Sequence, residues 1–166
     1  YNFKFYYFMN YNKVLALKVF EKLFDLNIKL TCAESCTGGK IAASIIDIPG
    51  ASKIFDRGFI TYDDTAKVEL LNISKTILKK YGAVSEEVAI AMAEGAIKNS
   101  NASISISCTG IAGPSGGSLN KPVGLVYIAL FYNKKIICVE KKFGNIGRDL
   151  IRDLTTKTAL TLCLDI

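Results

Sequence analysis

The spacing of apolar residues along the chain changes repeatedly between the period of a helix and that of a strand. Within residues 13–26, Val14, Leu17 and Leu23 lie at helical spacing with charged residues between them, which predicts an amphipathic helix. Within residues 103–107, serine and isoleucine alternate strictly, which is the period of a strand. The same reading of the whole chain predicts the order helix, strand, helix, strand, helix, helix, strand, strand, strand, helix.

Residues that start or stop helices bound several of these elements. Pro49 and Gly50 end the second helix, and Ser85 is placed to cap the fourth, with Glu86 and Glu87 in its first turn where the helix dipole favours acids. The predicted helices span 13–26, 41–46, 63–71, 85–98 and 146–164, and the predicted strands span 28–32, 57–62, 103–107, 123–132 and 136–143. The last two strands are spaced as a hairpin. This order predicts the α/β class, as a three-layer α/β/α sandwich with a mixed central sheet.

Length and composition are those of one globular domain. The chain has 166 residues, of which 50% are hydrophobic, enough for a sizeable core. Residues 9–166 are expected to form this single domain, and the aromatic-rich residues 1–8 are interpreted as an N-terminal extension without a functional role. Every apolar run is interrupted before the roughly 18 residues that a membrane span needs. A soluble protein without a membrane partner is therefore expected.

Five cysteines and no histidine limit the disulfide and metal chemistry of the chain. An odd number of cysteines at irregular spacing argues against a disulfide framework and favours the reducing cytoplasm. Cys32 and Cys36 are close in sequence, but no second close pair and no histidine complete a tetrahedral metal site. We therefore expect a cytoplasmic protein without a bound metal.

The formal net charge of +6 raises the question of a nucleic-acid partner. A basic surface attracts phosphate polymers, but the lysines are dispersed, with short runs only at 79–80, 134–135 and 141–142. These runs do not form the basic stripe with interleaved aromatic residues that is typical of nucleic-acid-binding surfaces. The pattern favours a solvated surface, and no nucleic-acid partner is expected.

The absence of histidine from the sequence excludes a Ser-His-Asp triad and any histidine-ligated metal mechanism. Ser35 lies at a predicted strand-to-helix turn, where its hydroxyl would face the helix N-terminus and free backbone N–H groups could stabilise an oxyanion. The same residues also allow a structural interpretation, with Ser35 as a helix cap and Gly38 and Gly39 permitting close packing of the helix. The pattern excludes neither interpretation.

Other candidate residues are weaker when each is taken singly. The glycine-rich segment 110–117 resembles a phosphate-binding loop, but the Gly-Lys-Ser or Gly-Lys-Thr of a P-loop does not follow it. Tyr62 lies at the end of a predicted strand, Lys67 on a polar helix start, and Arg148 near the start of the last predicted helix. Each of these three, alone, is typical of a protein surface.

Taken together, several motifs follow one another over about residues 13–164. They are residues 33–39 (AESCTGG), 49–52 (PGAS), Tyr62 with Ala66 and Lys67, residues 82–89 (GAVSEEVA), 109–114 (TGIAGP) with Gly116 and Gly117, and 121–124 (KPVG). In this combination the sequence resembles the C-terminal domain family of the competence/damage-inducible protein CinA, whose enzymatic members are nicotinamide-nucleotide amidohydrolases.

The resemblance implies a serine-lysine amidase, assisted by a tyrosine, that converts nicotinamide mononucleotide into nicotinic acid mononucleotide and ammonia. Ser35 matches the nucleophile of the family, Lys67 its base and Tyr62 the assisting hydroxyl. The residues expected to bind the pyridine mononucleotide are Thr37, Gly38, Thr109, Gly110, Gly113 and Arg148. No metal or organic cofactor is implied. The residues of segments 63–65 and 145–148 differ from those most common in the family.

Other functions stay open at this point. The same fold could serve as a non-catalytic nucleotide-binding or interaction module linked to competence or DNA damage. A pure binder, however, has no need of Ser35 and Lys67 together. A nucleic-acid-binding protein would rest on the net charge alone, and a homo-oligomer is neither indicated nor excluded by the sequence.

Overall fold

The computed structural model describes the backbone of residues 2–166 and the side chains of residues 11–166. Its helices are α1 (Asn2–Asp25), α2 (Lys40–Ile46), α3 (Asp64–Leu71), α4 (Lys75–Tyr81), α5 (Glu86–Lys98) and α6 (Arg148–Leu164), and its strands are β1 (Leu30–Glu34), β2 (Phe55–Ile60), β3 (Ile104–Gly110), β4 (Leu125–Tyr132) and β5 (Lys135–Lys142). A turn of 3-10 helix at Ala51–Lys53 precedes β2. Among the residues described, no helix has the length and apolar composition of a membrane span. The predicted extension 1–8 lies outside the residues whose side chains are described.

The strands form one sheet in the order β2-β1-β3-β4-β5. β1 pairs in parallel with β2 and β3, whereas β4 is antiparallel to β3 and β5. Glu34, at the end of β1, pairs with Ile60 of β2 and Cys108 of β3. The carboxyl ends of the three parallel strands therefore lie together at one edge of the sheet.

Helices cover both faces of this sheet. α1, α2 and α6 pack against one another, and α6 contacts β3 and β4. α5 packs across β1, β3, β4 and β5, and α3 and α4 pack against α5. The predicted three-layer α/β/α sandwich with a mixed central sheet is confirmed.

Both faces of β3 are buried, which explains its alternating sequence. The isoleucine face packs into the main core with residues of α1, α2 and α6. On the opposite face, the hydroxyls of Ser105 and Ser107 donate to the carbonyls of Ala93 at 2.7 Å and Ala89 at 2.6 Å in α5. Because buried hydroxyls are stable when their hydrogen bonds are made, the alanine-rich helix can lie directly on the serine face.

The boundaries of several elements differ from those predicted. α4 is missing from the predicted order, since it has seven residues and only Ile77 and Leu78 pack partly buried against the core beneath it, too few for a periodic signal. β1 extends through Glu34, two residues beyond its predicted end, because its pairing with both neighbours continues to that residue. The predicted hairpin between β4 and β5 is present, and its turn consists of Asn133 and Lys134, with φ of 50° and 62°, as in the two-residue turns that match strand twist.

Gly95 of α5 lies directly against the end of α3. A Cβ atom at Gly95 would lie 2.8 Å from the Cβ of Leu71 and closer still to its carbonyl oxygen. We expect Gly95→Ala to lower the free energy of unfolding by about 1–3 kcal/mol, as overpacking does, although helix propensity alone would raise it by about 1 kcal/mol. Urea unfolding followed by circular dichroism measures the change in the free energy of unfolding, and the sign of that change shows which effect is larger. A more stable variant would mean that α3 and α5 separate slightly at no cost.

Candidate active site

A cavity of about 260 Å³ lies where the three parallel strands end. This edge is where open α/β sheets bind ligands, and the volume is close to the lower limit of about 300 Å³ for such sites. Its walls come from the segments after β1, β2 and β3, from the start of α3, from the loop before α5 and from the first residue of α6. The lining residues are Ser35, Cys36, Tyr62, Asp64, Lys67, Ala83, Val84, Thr109, Gly110, Ile111, Ala112, Gly113, Ser115, Gly116 and Arg148.

Most of the predicted site residues are brought together here. Those that line the cavity are Ser35, Tyr62, Lys67, Thr109, Gly110, Gly113 and Arg148. Thr37 and Gly38 do not line it. Thr37 is fully buried and its hydroxyl donates to the Glu34 carboxylate at 2.6 Å, and Gly38 lies exposed beside Arg152. The predicted substrate contacts of these two residues, like the roles of the other seven, stay predictions.

Ser35 continues directly from β1. The residue is 8% exposed, and its backbone N–H donates to the Cys108 carbonyl at 3.1 Å, which extends the pairing with β3. A turn over residues 36–39 separates Ser35 from α2, which begins at Lys40. Ser35 therefore lies between strand and helix, as predicted, but it follows the end of β1 directly and is five residues before the first residue of α2.

The carboxylate of Glu34 occupies the N-terminus of α2. Glu34 is fully buried, and its oxygens accept hydrogen bonds from the N–H groups of Gly39 at 2.9 Å, Ile41 at 3.1 Å and Ala42 at 2.8 Å. The unsatisfied N–H groups and the dipole of a helix start favour such a carboxylate. These N–H groups are consequently not free to stabilise an oxyanion at Ser35, contrary to the sequence-based expectation.

Lys67 is 1% exposed although it carries an amine. Its Nζ donates to the carbonyl oxygen of Tyr62 at 3.3 Å and to Oδ1 of Asp64 at 3.2 Å. Among the described side chains, no hydrogen bond joins Lys67 to Ser35, although both line the cavity. The surface interpretation of Lys67 is therefore wrong.

Tyr62 and Arg148 lie at the solvent-exposed side of the cavity. Tyr62 is 62% exposed, and its hydroxyl accepts a hydrogen bond from Nη2 of Arg148 at 3.2 Å. Nη1 of Arg148 donates to the Gly113 carbonyl at 3.0 Å. The tyrosine hydroxyl thus contacts the arginine, and only the tyrosine carbonyl contacts Lys67.

The end of β3 and the loop after it form a closely packed wall. The Thr109 hydroxyl donates at 2.8 Å to a carbonyl of the loop before α5. A Cβ atom on Gly110 would lie 2.6 Å from Cγ2 of Val126, and one on Gly113 would lie 2.6 Å from Cγ1 of Val123. Larger residues at these two positions would push the loop away from β4.

Two thiols lie next to Ser35 in the fold. Cys36 lines the cavity, and Cys108 is fully buried at the level of Glu34. The neighbouring Cys36 thiol and burial raise the pKa of the Cys108 thiol well above its ordinary value. A protonated thiol is a poor nucleophile, so Cys108 is not a candidate for that role. Within residues 11–166, no three acidic or cysteine side chains are grouped so as to hold a metal ion.

Three residues that shape the site are missing from the sequence-based prediction. Glu34 carries the signal of an acid at the end of an apolar strand. Asp64 stands three residues before Lys67, the spacing of a helical ion pair. Lys121 opens the motif 121–124, and its Nζ donates to the Tyr81 carbonyl at the end of α4 at 2.6 Å and to the Val84 carbonyl at 2.7 Å. These two bonds fix the loop before α5.

The family described as the CinA C-terminal domain matches residues 12–166. The chain belongs to this family. A competence-damage inducible protein of Caldicellulosiruptor saccharolyticus is 49% identical over 149 residues, which cover 90% of this chain and 36% of the relative. One of Clostridium botulinum is 48% identical over 138 residues, covering 83% of this chain and 34% of the relative. The CinA domain thus spans about a third of the length of these curated relatives.

Solved structures of the CinA superfamily have the same fold. The competence/damage inducible protein CihA of Agrobacterium tumefaciens matches with a TM-score of 0.92 and 40% identity, covering 93% of this chain and 94% of that one. A CinA superfamily protein of Escherichia coli matches with a TM-score of 0.88 and 35% identity, covering 92% and 90% of the two chains. The three-layer fold is therefore that of the CinA superfamily.

The buried Glu34 carboxylate of this CinA domain gives a test of how the turn over residues 36–39 is held. We expect Glu34→Gln to lower the free energy of unfolding by about 2 kcal/mol or more, because the amide nitrogen would face backbone N–H donors and leave them unpaired. Glu69→Gln, an exposed position on α3, should change it by less than about 0.5 kcal/mol. Urea unfolding of both variants measures the difference. Equal stabilities would show that the α2 N-terminus does not depend on the Glu34 carboxylate.

Proposed function

We propose that the chain is an amidohydrolase that hydrolyses the carboxamide of nicotinamide mononucleotide to nicotinic acid mononucleotide and ammonia. The observation that carries the proposal is the placement of Ser35 and the buried Lys67 in one cavity, with Tyr62 and Arg148 at its exposed side. Burying an amine is unfavourable, and a site that only binds has no need of one beside a serine. The resemblance to enzymatic members of the CinA family supports the same activity.

Ser35 supplies the nucleophile and Lys67 the base. The serine oxygen attacks the carboxamide carbon while its proton passes to the neutral amine of Lys67. The amide nitrogen takes that proton as the carbon–nitrogen bond breaks and leaves as ammonia, so that an acyl-enzyme remains. Water then attacks the ester carbon with Lys67 again as the base, which releases the carboxylate and restores Ser35. The reaction requires no metal, organic cofactor, nucleic acid or membrane.

Each attack places negative charge on the carbonyl oxygen, which needs hydrogen-bond donors. The N–H groups at the start of α2 are occupied by Glu34. The backbone N–H of Cys36 follows the nucleophile and, within the described residues, makes no hydrogen bond. The residue after the nucleophile donates to the oxyanion in other serine hydrolases, so we assign this role to the N–H of Cys36.

Arg148 is the candidate for the phosphate of the nucleotide. Its guanidinium now donates to two neutral acceptors, the Gly113 carbonyl and the Tyr62 hydroxyl. A phosphate is a stronger acceptor and can take two parallel N–H donors from one guanidinium. The glycine-rich loop 110–117 lies beside it and offers backbone N–H groups for the remaining oxygens.

A second candidate function is a nucleotide-binding or interaction module without turnover, linked to competence or DNA damage. Two observations favour it: the names of the relatives, and the bonding of Lys67 to Tyr62 and Asp64 in place of Ser35. Catalytic hydrogen bonds often form only once substrate is bound, so this bonding is compatible with both functions. Release of ammonia separates them.

We expect the purified chain to release ammonia from nicotinamide mononucleotide in the presence of a chelator. Ser35→Ala should abolish this release, and Lys67→Met, which keeps an apolar stem in the buried position, should lower kcat by about 10²–10⁴-fold because the general base is lost. Ser44→Ala serves as the matched control, since Ser44 lies on α2 and its hydroxyl donates to the Lys40 carbonyl. The measurement is a coupled ammonia assay, with the nicotinic acid product identified by mass.

The outcomes of this assay separate the candidate functions. No release by the unmodified chain, with nucleotide binding retained, would favour the module without turnover. Loss of activity with chelator and recovery with zinc would contradict the serine mechanism. A wild-type rate of ammonia release in Ser35→Ala would show that another residue is the nucleophile.

If Arg148 contacts the phosphate, kcat/KM should be higher for substrates that carry the phosphate than for those that lack it. Free nicotinamide should be a poor substrate compared with its mononucleotide, because the phosphate positions the carboxamide for attack. Arg148→Gln should lower kcat/KM for the mononucleotide by about ten-fold or more and leave the rate with nicotinamide riboside unchanged. Arg57→Gln is the control, since Arg57 contacts Asp56 and Asn99 away from the cavity. Equal losses with mononucleotide and riboside would show that Arg148 does not contact the phosphate.

A further inference from the structure

We infer that Arg152 is a positioning residue that orients and polarises the backbone N–H of Cys36 through the peptide groups of the turn after Ser35. The inference rests on the proposed function for its catalytic consequence, since the Cys36 N–H is the oxyanion donor assigned there. The chain of hydrogen bonds itself is a feature of the structure and does not depend on that function.

Arg152 joins the last helix to the turn over residues 36–39. It lies on α6, one helical turn after Arg148, and its Nη2 donates to the Thr37 carbonyl at 2.6 Å. A Cβ atom at Gly38 would lie 3.5 Å from the same nitrogen, so the guanidinium lies directly against the turn. α6 therefore contributes two arginines, one to the exposed side of the cavity and one to the turn after the proposed nucleophile.

The other contacts of the Arg152 guanidinium are weak. Among the described residues, Asp149 is the acid paired with it, but the two charged atoms are 4.0 Å apart and the Asp149 side chain is 72% exposed, so solvent screens the attraction. The Nε atom of Arg152 is buried and has no acceptor within this part of the chain, which is uncommon for a buried polar atom. The Thr37 carbonyl is therefore the acceptor that holds the guanidinium.

The Thr37 carbonyl is one end of a chain of two peptide groups. The N–H of the same peptide group, that of Gly38, donates to the Ser35 carbonyl at 3.1 Å. The Ser35 carbonyl in turn shares its peptide group with the N–H of Cys36. Because a trans peptide is planar, its N–H points opposite to its carbonyl. The bond between Gly38 and Ser35 therefore fixes the direction of the Cys36 N–H.

The polarity of this chain suits an oxyanion. A cationic donor on a carbonyl strengthens the N–H at the other end of the same peptide group, and hydrogen-bonded groups polarise one another along a chain in this way. The positive charge of Arg152 therefore acts on the Cys36 N–H through two peptide groups. The Glu34 carboxylate already holds the Thr37 side chain, so Arg152 completes the fixing of Thr37 at its carbonyl.

Loss of the guanidinium should affect the transition state more than the bound substrate. The oxyanion forms only during the reaction, so binding of the neutral carboxamide requires little from the Cys36 N–H. Removing an oxyanion donor outright costs about 10²–10³-fold in kcat, whereas Arg152 acts on a donor that stays in the chain. We expect Arg152→Met to lower kcat by about ten-fold and to change KM by less than about two-fold.

The test compares three variants of the full chain. Arg152→Met removes the guanidinium and keeps an apolar stem. Arg152→Gln keeps a polar end that stops short of the Nη2 position, and it carries the test if Arg152→Met does not fold. Asp149→Asn is the matched control, because it removes the charge next to the arginine and not the donor to Thr37. The values of kcat and KM for nicotinamide mononucleotide are measured for each variant.

Amide hydrogen exchange gives a second readout that needs no turnover. The Gly38 N–H is protected by its bond to Ser35 and should exchange about ten-fold faster in both Arg152 variants, because the turn opens locally more often. The N–H of Ile106, in the buried strand β3, reports global unfolding, and its change is subtracted from that at Gly38. Asp149→Asn should change neither kcat nor the exchange of Gly38.

The outcomes separate the inference from the proposed function. If the unmodified chain releases no ammonia, the proposed function and the catalytic part of the inference fail together, and the exchange of Gly38 still decides whether Arg152 holds the turn. If the chain is active and the Arg152 variants keep a wild-type kcat, the inference is overturned and the proposed function stands.

Three further results would overturn the inference in an active chain. A lower kcat with unchanged Gly38 exchange would mean that Arg152 does not act through the turn. A higher KM at unchanged kcat would make Arg152 a substrate contact. Losses of the same size in Asp149→Asn would trace the effect to the charges of α6 and not to the bond with Thr37.

Discussion

The geometry of the site depends on one buried carboxylate. Glu34 ends the central strand of the parallel set and collects the N–H groups at the start of α2 together with the Thr37 hydroxyl. The side chain of Glu34, at the end of β1, thereby hydrogen-bonds both the turn and the start of α2. Since burying a carboxylate is costly without such donors, the turn has little freedom to rearrange. Ser35, which lies between β1 and this turn, is held in line with β1 as a result.

This arrangement determines which hydrogen-bond donors and charged side chains are available to a ligand at the site. In many folds a helix N-terminus offers N–H groups and a favourable dipole to the reacting anion, but here Glu34 has taken them. The proposed reaction would therefore rely on the strand ends, on the backbone beside Ser35 and on the side chains of Lys67 and Arg148. The lack of histidine in the chain is one reason why Lys67 is the proposed base.

The sequence predicts the layers, and through the family motifs it predicts most of the cavity lining, because apolar periodicity and short ordered motifs are local signals. It does not predict where hydroxyls and N–H groups find their partners. Thr37 follows the nucleophile closely in sequence and still turns inward to Glu34, since a buried carboxylate requires donors. The burial of Lys67 and its contact with Asp64 likewise depend on how α3 packs beside the sheet, which no local pattern records.

The two sides of the cavity are built differently, and this bears on how a serine and a lysine that are not hydrogen-bonded can react. On the β3 side, Gly110 packs against Val126 of β4 and Gly113 against Val123 just before β4, so this wall is closely packed. On the α3 side, Lys67 has a flexible stem and holds a partly solvated carboxylate that water can replace. In the proposed reaction the substrate carboxamide would lie against this packed wall, and the flexible stem of Lys67 would supply the movement that brings the base to Ser35.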